Sequence, residues 1–165
     1  MQALPAQDRR WVLTSVNETL DATIRIIEST DRRISIFSSS LEPAIFNNER
    51  FLAAVKRLAL GKPFVRIRIL ITNPARVMHN RNPFVQLARR LTACIEFRNV
   101  SEEYRNHREA FLIADENALI YRVDSSKWEG IADTHEPAVA RRYLGLFNQV
   151  WNSSSVQTER RELYV

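Results

Sequence analysis

The sequence predicts an α/β domain in which a mixed, mostly parallel sheet is flanked by helices on both faces. Three observations support this fold class. Apolar runs with the two-residue period of strands alternate along the chain with runs of helical period, which is the order found in α/β folds. Two more apolar runs, 110–114 and 118–121, are separated by turn residues and predict an antiparallel hairpin. The length of 165 residues is that of one domain with one core.

Composition and charge narrow the classes of function. The chain has 24 lysines and arginines against 19 aspartates and glutamates, a net charge of +5, which favours contact with polyanions. A single cysteine, Cys94, and three scattered histidines exclude an internal disulfide and offer no metal-ligand spacing. The three glycines lie far apart, so no glycine-rich phosphate loop is present. We therefore expect neither a metal nor another cofactor.

The first elements of the chain follow a loose N-terminal arm, 1–13. Apolar residues spaced by four, four and three positions predict a helix over 15–28, which Thr14 or Ser15 can cap. A short β-rich run, 34–37, ends in three serine hydroxyls. The next segment, 41–46, is predicted to be a loop with apolar anchors.

Strong start and stop signals frame the middle of the chain. Asn47 or Asn48 is expected to cap a second helix, which ends where Gly61 supplies a left-handed residue. The run 64–71 alternates apolar residues with arginines and predicts a strand with one partly solvated side. The polar segment 72–81 follows as a loop at the carboxyl end of that strand, where open α/β sheets place binding residues.

The second half contributes a helix over 82–90, a strand over 94–100 and the hairpin. Segment 123–134 has no period and is predicted to be a long loop, of the kind that covers a site. A final helix begins at Glu136.

These elements define three segments: an arm of 1–13, a domain of 14–152 and a tail of 153–165, whose last residues are disordered or add an edge strand. The N-terminus lacks the apolar core of a signal peptide, and no stretch approaches the roughly 20 apolar residues that span a bilayer. We expect a cytoplasmic protein with no membrane span.

Polar groups flank the first strand of the hairpin. His107, Arg108 and Glu109 precede it and Asp115 follows it. This arrangement resembles the His-x-Lys-x4-Asp signature of the phospholipase D superfamily. Counted from His107, however, the lysine position holds Glu109 and the aspartate comes one residue late. Counted back from Asp115, Arg108 takes the histidine position and Ala110 that of the lysine.

The final helix strengthens the resemblance, because half-domains of that superfamily also end in a helix with Phe and Trp near its end, here Phe147 and Trp151. The resemblance implies that His107 and Asp115 are the catalytic candidates, with His107 as the nucleophile of a phospho-histidine intermediate. Because the lysine is missing, it also implies a degenerate half-domain that no longer cuts phosphodiesters. Two halves complete one site in that superfamily, so a homodimer is expected.

Basic residues cluster in the middle of the chain and suggest a second kind of site. We expect four of them to bind an anion at the sheet edge: Arg76, His79, Arg81 and Arg108. The plainer interpretation is a solvated face in which Glu102, Glu103 and Glu109 compensate these charges.

The sequence thus favours a non-catalytic domain that binds an anionic ligand, a nucleic acid or a protein partner at the sheet edge. Two alternatives remain open. One is a phosphodiesterase that uses His107, and the other is a purely structural protein-interaction module.

Overall fold

A computed structural model describes residues 9–79 and 81–156, with backbone alone for 78, 79, 155 and 156. Its helices are α1 (Val16–Glu28), α2 (Pro43–Phe46), α3 (Glu49–Gly61), α4 (Pro74–His79), α5 (Pro83–Arg90) and α6 (Pro137–Asn152). Its strands are β1 (Arg10–Leu13), β2 (Arg33–Ser38), β3 (Arg66–Ile71), β4 (Ile95–Asn99), β5 (Ala110–Ala114), β6 (Ala118–Arg122), β7 (Gly130–Asp133) and β8 (Ser155–Val156). A short 3₁₀ turn, Glu102–Tyr104, precedes β5.

All described strands form one mixed sheet in the order β1-β7-β6-β5-β2-β3-β4-β8. The predicted parallel pairing is confined to its centre, where β2, β3 and β4 run side by side. The hairpin of β5 and β6 joins β2 antiparallel, and β7, β1 and β8 also add antiparallel pairings. The predicted α/β class with a mixed sheet is confirmed.

Side-chain caps explain why several predicted helix boundaries hold. The Ser15 hydroxyl accepts a hydrogen bond from the backbone N–H of Glu18 and starts α1. The Asn48 side chain accepts from Arg50 and starts α3, while Asn82 accepts from two N–H groups at the start of α5. Each cap satisfies donors that the first helical turn leaves free. Such caps are local, so they can be predicted from sequence.

Two apolar cores, rather than the one expected from the length, lie on opposite faces of the sheet, because helices cover both faces. The larger core joins α1, α3 and α5 to one face and includes the fully buried Phe51 and Phe84. The smaller core lies beneath α6 alone, with Phe37, Leu70 and Phe147 at its centre. Burial of each such side chain contributes about 1.5–3 kcal/mol. Because one helix covers the second face, part of that face is left open.

Several segments predicted as irregular are ordered elements. The expected loose arm contains β1, because Arg10–Leu13 pairs with β7 and buries Leu13. Segment 123–134 is not one long loop, since β7 occupies 130–133. These two four-residue strands are too short to show a period, and only pairing with distant residues stabilises them.

Short helices replace two predicted loops. Segment 41–46 contains α2, and the polar segment 72–81 contains α4. In both, proline at the first helical position favours the turn. Gly61 is helical rather than left-handed, and among the described glycines none has a positive φ.

One face of α6 packs onto the sheet. Val139 is 37% exposed, whereas Ala140 and Leu144 are buried. The expected tail begins with β8, and residues 157–165 lie outside the described part of the chain. Within residues 9–79 and 81–156, no helix is both long and apolar enough to cross a membrane.

Candidate functional site

His107 lies at the edge formed by the carboxyl ends of β2, β3 and β4 and the amino end of β5. We call this the strand-end edge. The β2–β5 register, with Phe37 opposite Phe111, brings the segment before β5 to the end of β2. The His107 ring lies 6.1 Å from the Phe37 ring in an edge-on arrangement. The sequence correctly predicted an interior β5, because all five of its residues are buried.

A carboxylate holds the His107 ring from one side. Nδ1 of His107 lies 3.3 Å from Oε1 of Glu109, and the Tyr121 hydroxyl donates a hydrogen bond of 2.5 Å to the other oxygen of Glu109. Burial and this hydrogen bond raise the pKa of Tyr121 above its ordinary value. Glu109 therefore orients the imidazole, but it also places negative charge where a phosphate-cleaving site needs a cation.

A second carboxylate, that of Glu42, lies at the same edge. Glu42 accepts from the guanidinium of Arg122, which also donates to the Lys127 carbonyl at 2.8 Å and lies 4.5 Å from the Trp128 ring centre. The Arg122 side chain is 7% exposed. Beside this pair is a cavity of about 40 Å³ with Thr19, Thr23 and Ser38 in its lining, room for about one water molecule. Sequence analysis missed the pair, because nothing local links residues 80 positions apart.

Asp115 lies at the opposite edge of the sheet from His107, so the two catalytic candidates are not brought together. The β5 strand, about 3.3 Å per residue, separates them. The Asp115 carboxylate accepts the backbone N–H groups of Asp31, Arg32 and Arg33 at 2.6, 2.7 and 3.0 Å. Its own backbone is left-handed, with φ 54, at the hairpin turn. Asp115 therefore ties the turn after α1 to the hairpin and cannot orient His107.

The structure describes the side chains of three of the four predicted anion-binding residues. Arg76 is exposed on α4, which follows the carboxyl end of β3, and Arg81 is exposed just before α5. Arg108 is exposed beside His107, roughly 10 Å from β3 if two strand spacings are counted. The side chain of His79 lies outside the described atoms.

The three described arginines differ little in their contacts with carboxylates. None of the three makes an ion pair with a carboxylate of the described residues. Hydrogen bonds from Ser126 lower the pKa of Asp124, and Arg108 adds a smaller electrostatic contribution. Across residues 9–79 and 81–156, no group of three or more His, Cys, Asp or Glu side chains could hold a metal ion.

Solved structures share this fold. Nuc from Salmonella typhimurium, a phospholipase D family member, aligns with a TM-score of 0.62 and 17% identity over 89% of this chain and 97% of its own. NucT from Helicobacter pylori aligns with a TM-score of 0.58 and 12% identity over 89% of this chain and 96% of its own. The fold is therefore phospholipase D-like, as the motif resemblance predicted.

The DNA-binding archaeal chromatin protein TrmBL2 also aligns, with a TM-score of 0.67 and 16% identity over 94% of this chain. The chain spans 57% of that protein's length. No curated protein matches the chain in sequence. The model of a family described as a domain of unknown function, DUF7931, matches residues 15–163. The chain belongs to this family.

Proposed function

We propose that this chain is a non-catalytic phospholipase D-like domain that binds nucleic-acid phosphates at the strand-end edge. The observation that carries the proposal is the exposure of Arg76, Arg81 and Arg108, none of which forms an ion pair within 4 Å of a carboxylate of the described residues. Guanidinium groups bind phosphate oxygens in a bidentate way. The DNA-binding structural neighbour, TrmBL2, supports a nucleic acid as the partner.

The chemistry beside His107 supports binding without cleavage. A phospho-histidine step needs a cation to neutralise the phosphate oxygens as charge develops. Here the nearest charged group that contacts the imidazole is the Glu109 carboxylate, 3.3 Å away. The Arg122 guanidinium is taken up by Glu42 and by backbone carbonyls. A phosphate oxygen next to the imidazole would therefore have no cation to neutralise the charge that develops during cleavage.

The test is a gel shift of short duplex and single-stranded DNA and RNA at about 50 and 200 mM salt. We expect affinity to fall steeply with salt, and Arg76→Ala and Arg108→Ala each to reduce the slope of log K against log salt by about 1. Arg50→Ala and Arg57→Ala are matched controls, since these exposed arginines already pair with Asp21 and Glu28.

Two results would overturn the proposal. Binding that is absent at both salt concentrations would favour the purely structural interaction module. Binding that Arg50→Ala weakens as much as Arg108→Ala does would show that net charge, rather than the edge, attracts the nucleic acid.

A phosphodiesterase is the alternative function, and one contact favours it: Glu109 holds Nδ1 of His107, as a carboxylate that orients a nucleophilic histidine must. That function requires turnover of bis(p-nitrophenyl) phosphate that His107→Ala abolishes. We expect no turnover above background from the wild type.

The family resemblance also leads us to propose a homodimer in which the strand-end edges of two copies meet. Sedimentation equilibrium of the full chain checks this. A monomer across the concentration range would exclude it.

A further inference from the structure

Four arginines lie together on the open part of the sheet face that α6 covers. Arg33 is on β2, Arg66 and Arg68 are on β3, and Arg98 is on β4. Arg33 pairs with Arg66 in the parallel β2–β3 register, and the two-residue period keeps Arg68 on the same face. The β3–β4 register, with Leu70 opposite Arg98, adds the fourth. We call them the sheet-face arginines.

Arg68 is the fixed member of this group. One terminal nitrogen donates to Oδ1 of Asn148 at 2.8 Å and to the Ser35 hydroxyl at 3.3 Å. The guanidinium carbon lies 4.8 Å from the Phe147 ring centre and 5.3 Å from that of Trp151. Its buried Nε has no hydrogen-bond partner. The guanidinium is thus held in place by neutral groups while one of its donors stays unused.

The charge of Arg68 is only partly compensated, although Glu96 on β4 lies directly opposite it in the strand register. Glu96, on the same face, already pairs with Arg98 at 2.9 Å. Burial and repulsion from Arg33 and Arg98 lower the pKa of Arg68 to about 10, against a smaller opposing effect of Glu96. A half-buried cation whose nearest carboxylate is already paired with another arginine costs free energy, and a bound anion reduces that cost.

We propose that the sheet-face arginines form a binding site for a phosphate group. The phosphate would supply additional counter-charge to the guanidinium of Arg68, which its neutral neighbours already hold in place. Arg33 and Arg66 are exposed, and their long side chains can close on the phosphate from the solvent side. The site lies on the sheet face rather than at the strand-end edge, so it does not depend on the function proposed for that edge.

The test is calorimetric titration of the full chain with inorganic phosphate at constant ionic strength. We expect saturable binding that Arg68→Gln weakens about tenfold or more, the loss of one hydrogen bond to a charged group. Arg33→Ala and Arg66→Ala, which remove exposed side chains and leave packing intact, should weaken it as well. Arg50→Ala and Arg57→Ala should leave it unchanged.

The source of the phosphate is distinguished by a second titration with an oligonucleotide, with and without a 5′-phosphate. Weakening of both forms by Arg33→Ala and Arg66→Ala identifies internal phosphodiesters as the source. Weakening of the 5′-phosphorylated form alone identifies a terminal monoester or free phosphate.

The double variant Arg76→Ala/Arg108→Ala separates this site from the edge, because it should retain the saturable phosphate binding that Arg68→Gln weakens. The proposal is overturned if phosphate shows no saturable binding. It is equally overturned if the Arg33 and Arg66 variants bind phosphate no more weakly than the Arg50 variant.

Discussion

The strand-end edge and the sheet face both carry charged groups, but the more buried charges of the two regions differ in their partners. At the edge, Glu42 pairs with Arg122 and Glu109 is held by His107 and Tyr121. On the sheet face, Arg68 is fixed by aromatic rings and amide and hydroxyl oxygens, and its Nε has no acceptor. Charges with partners stabilise a fold, whereas a preorganised charge without one is available to a ligand. The two proposed anion sites can therefore be told apart by whether their buried charges have partners.

The sharpest test of this contrast is Arg122→Met. It leaves the Glu42 carboxylate without its buried partner, so we expect the free energy of unfolding to fall by about 3–5 kcal/mol. Urea unfolding measures it, and Glu42→Gln in the same chain should recover part of the loss. Arg50→Ala, at an exposed pair, should change the stability by about 1 kcal/mol or less. An equal loss in the two variants would contradict a structural role for the edge pair.

The second test asks whether the polar groups at the two ends of β5 act separately. Asp115→Ala removes an acceptor for three backbone N–H groups and places alanine at φ 54, so we expect a loss of about 1–2 kcal/mol. Asp115→Asn keeps one acceptor oxygen and tolerates the left-handed backbone, and it should lose less than half as much. Nucleic-acid binding at the strand-end edge should be unchanged in both. A parallel loss of binding would link the two ends after all.

The third test is Arg68→Met, the same substitution that the first test makes at Arg122. Arg68→Met loses hydrogen bonds to Ser35 and Asn148 but no longer has to desolvate a charge. The two effects offset each other, and we expect unfolding to become easier by at most about 1 kcal/mol. A loss as large as that of Arg122→Met would show that Arg68 is a structural residue rather than one kept for a ligand.

The smallest effect concerns pH. The pKa of Tyr121 is raised from its ordinary 10.0 in the folded chain, so the folded state retains a proton that the unfolded state has lost. The stability from this hydroxyl is therefore present below about pH 10 and declines as the pH rises further. In Tyr121→Phe, the free energy of unfolding should therefore fall less steeply above pH 10 than it does in the wild type.

The lowered pKa of Arg68 has the opposite effect on the free energy of unfolding. Above about pH 10 the unfolded state keeps a proton that folded Arg68 loses, so stability from this group rises with pH. The free energy of unfolding of Tyr121→Phe is therefore compared with that of the wild type at each pH, by urea unfolding. Identical alkaline declines would contradict the burial of Tyr121 against Glu109.

Sequence analysis predicted most of the fold. The features that it missed depend on contacts between distant parts of the chain. The boundaries of α1 and α5 were predicted because Ser15 and Asn82 are local caps. Strand β1 was missed because four residues carry no period and depend on β7 for pairing. At the candidate site, His107 was placed correctly at the amino end of β5, but Asp115 was wrongly grouped with it. A buried strand directs its two ends to opposite edges of the sheet, which the motif resemblance obscured.

The sequence by itself determined the order of the longer helices and strands and the hairpin around Phe111, because period, capping and turn chemistry act over a few residues. Only the tertiary structure decided which charges meet. Arg122 finds Glu42 across 80 positions, and Asp115 reaches the N–H of Asp31 across 84. It also decided that Arg68 lies between Phe147 and Asn148 with no carboxylate bound to it. These pairings depend on strand order and register, which burial of both sheet faces selects and no local pattern encodes.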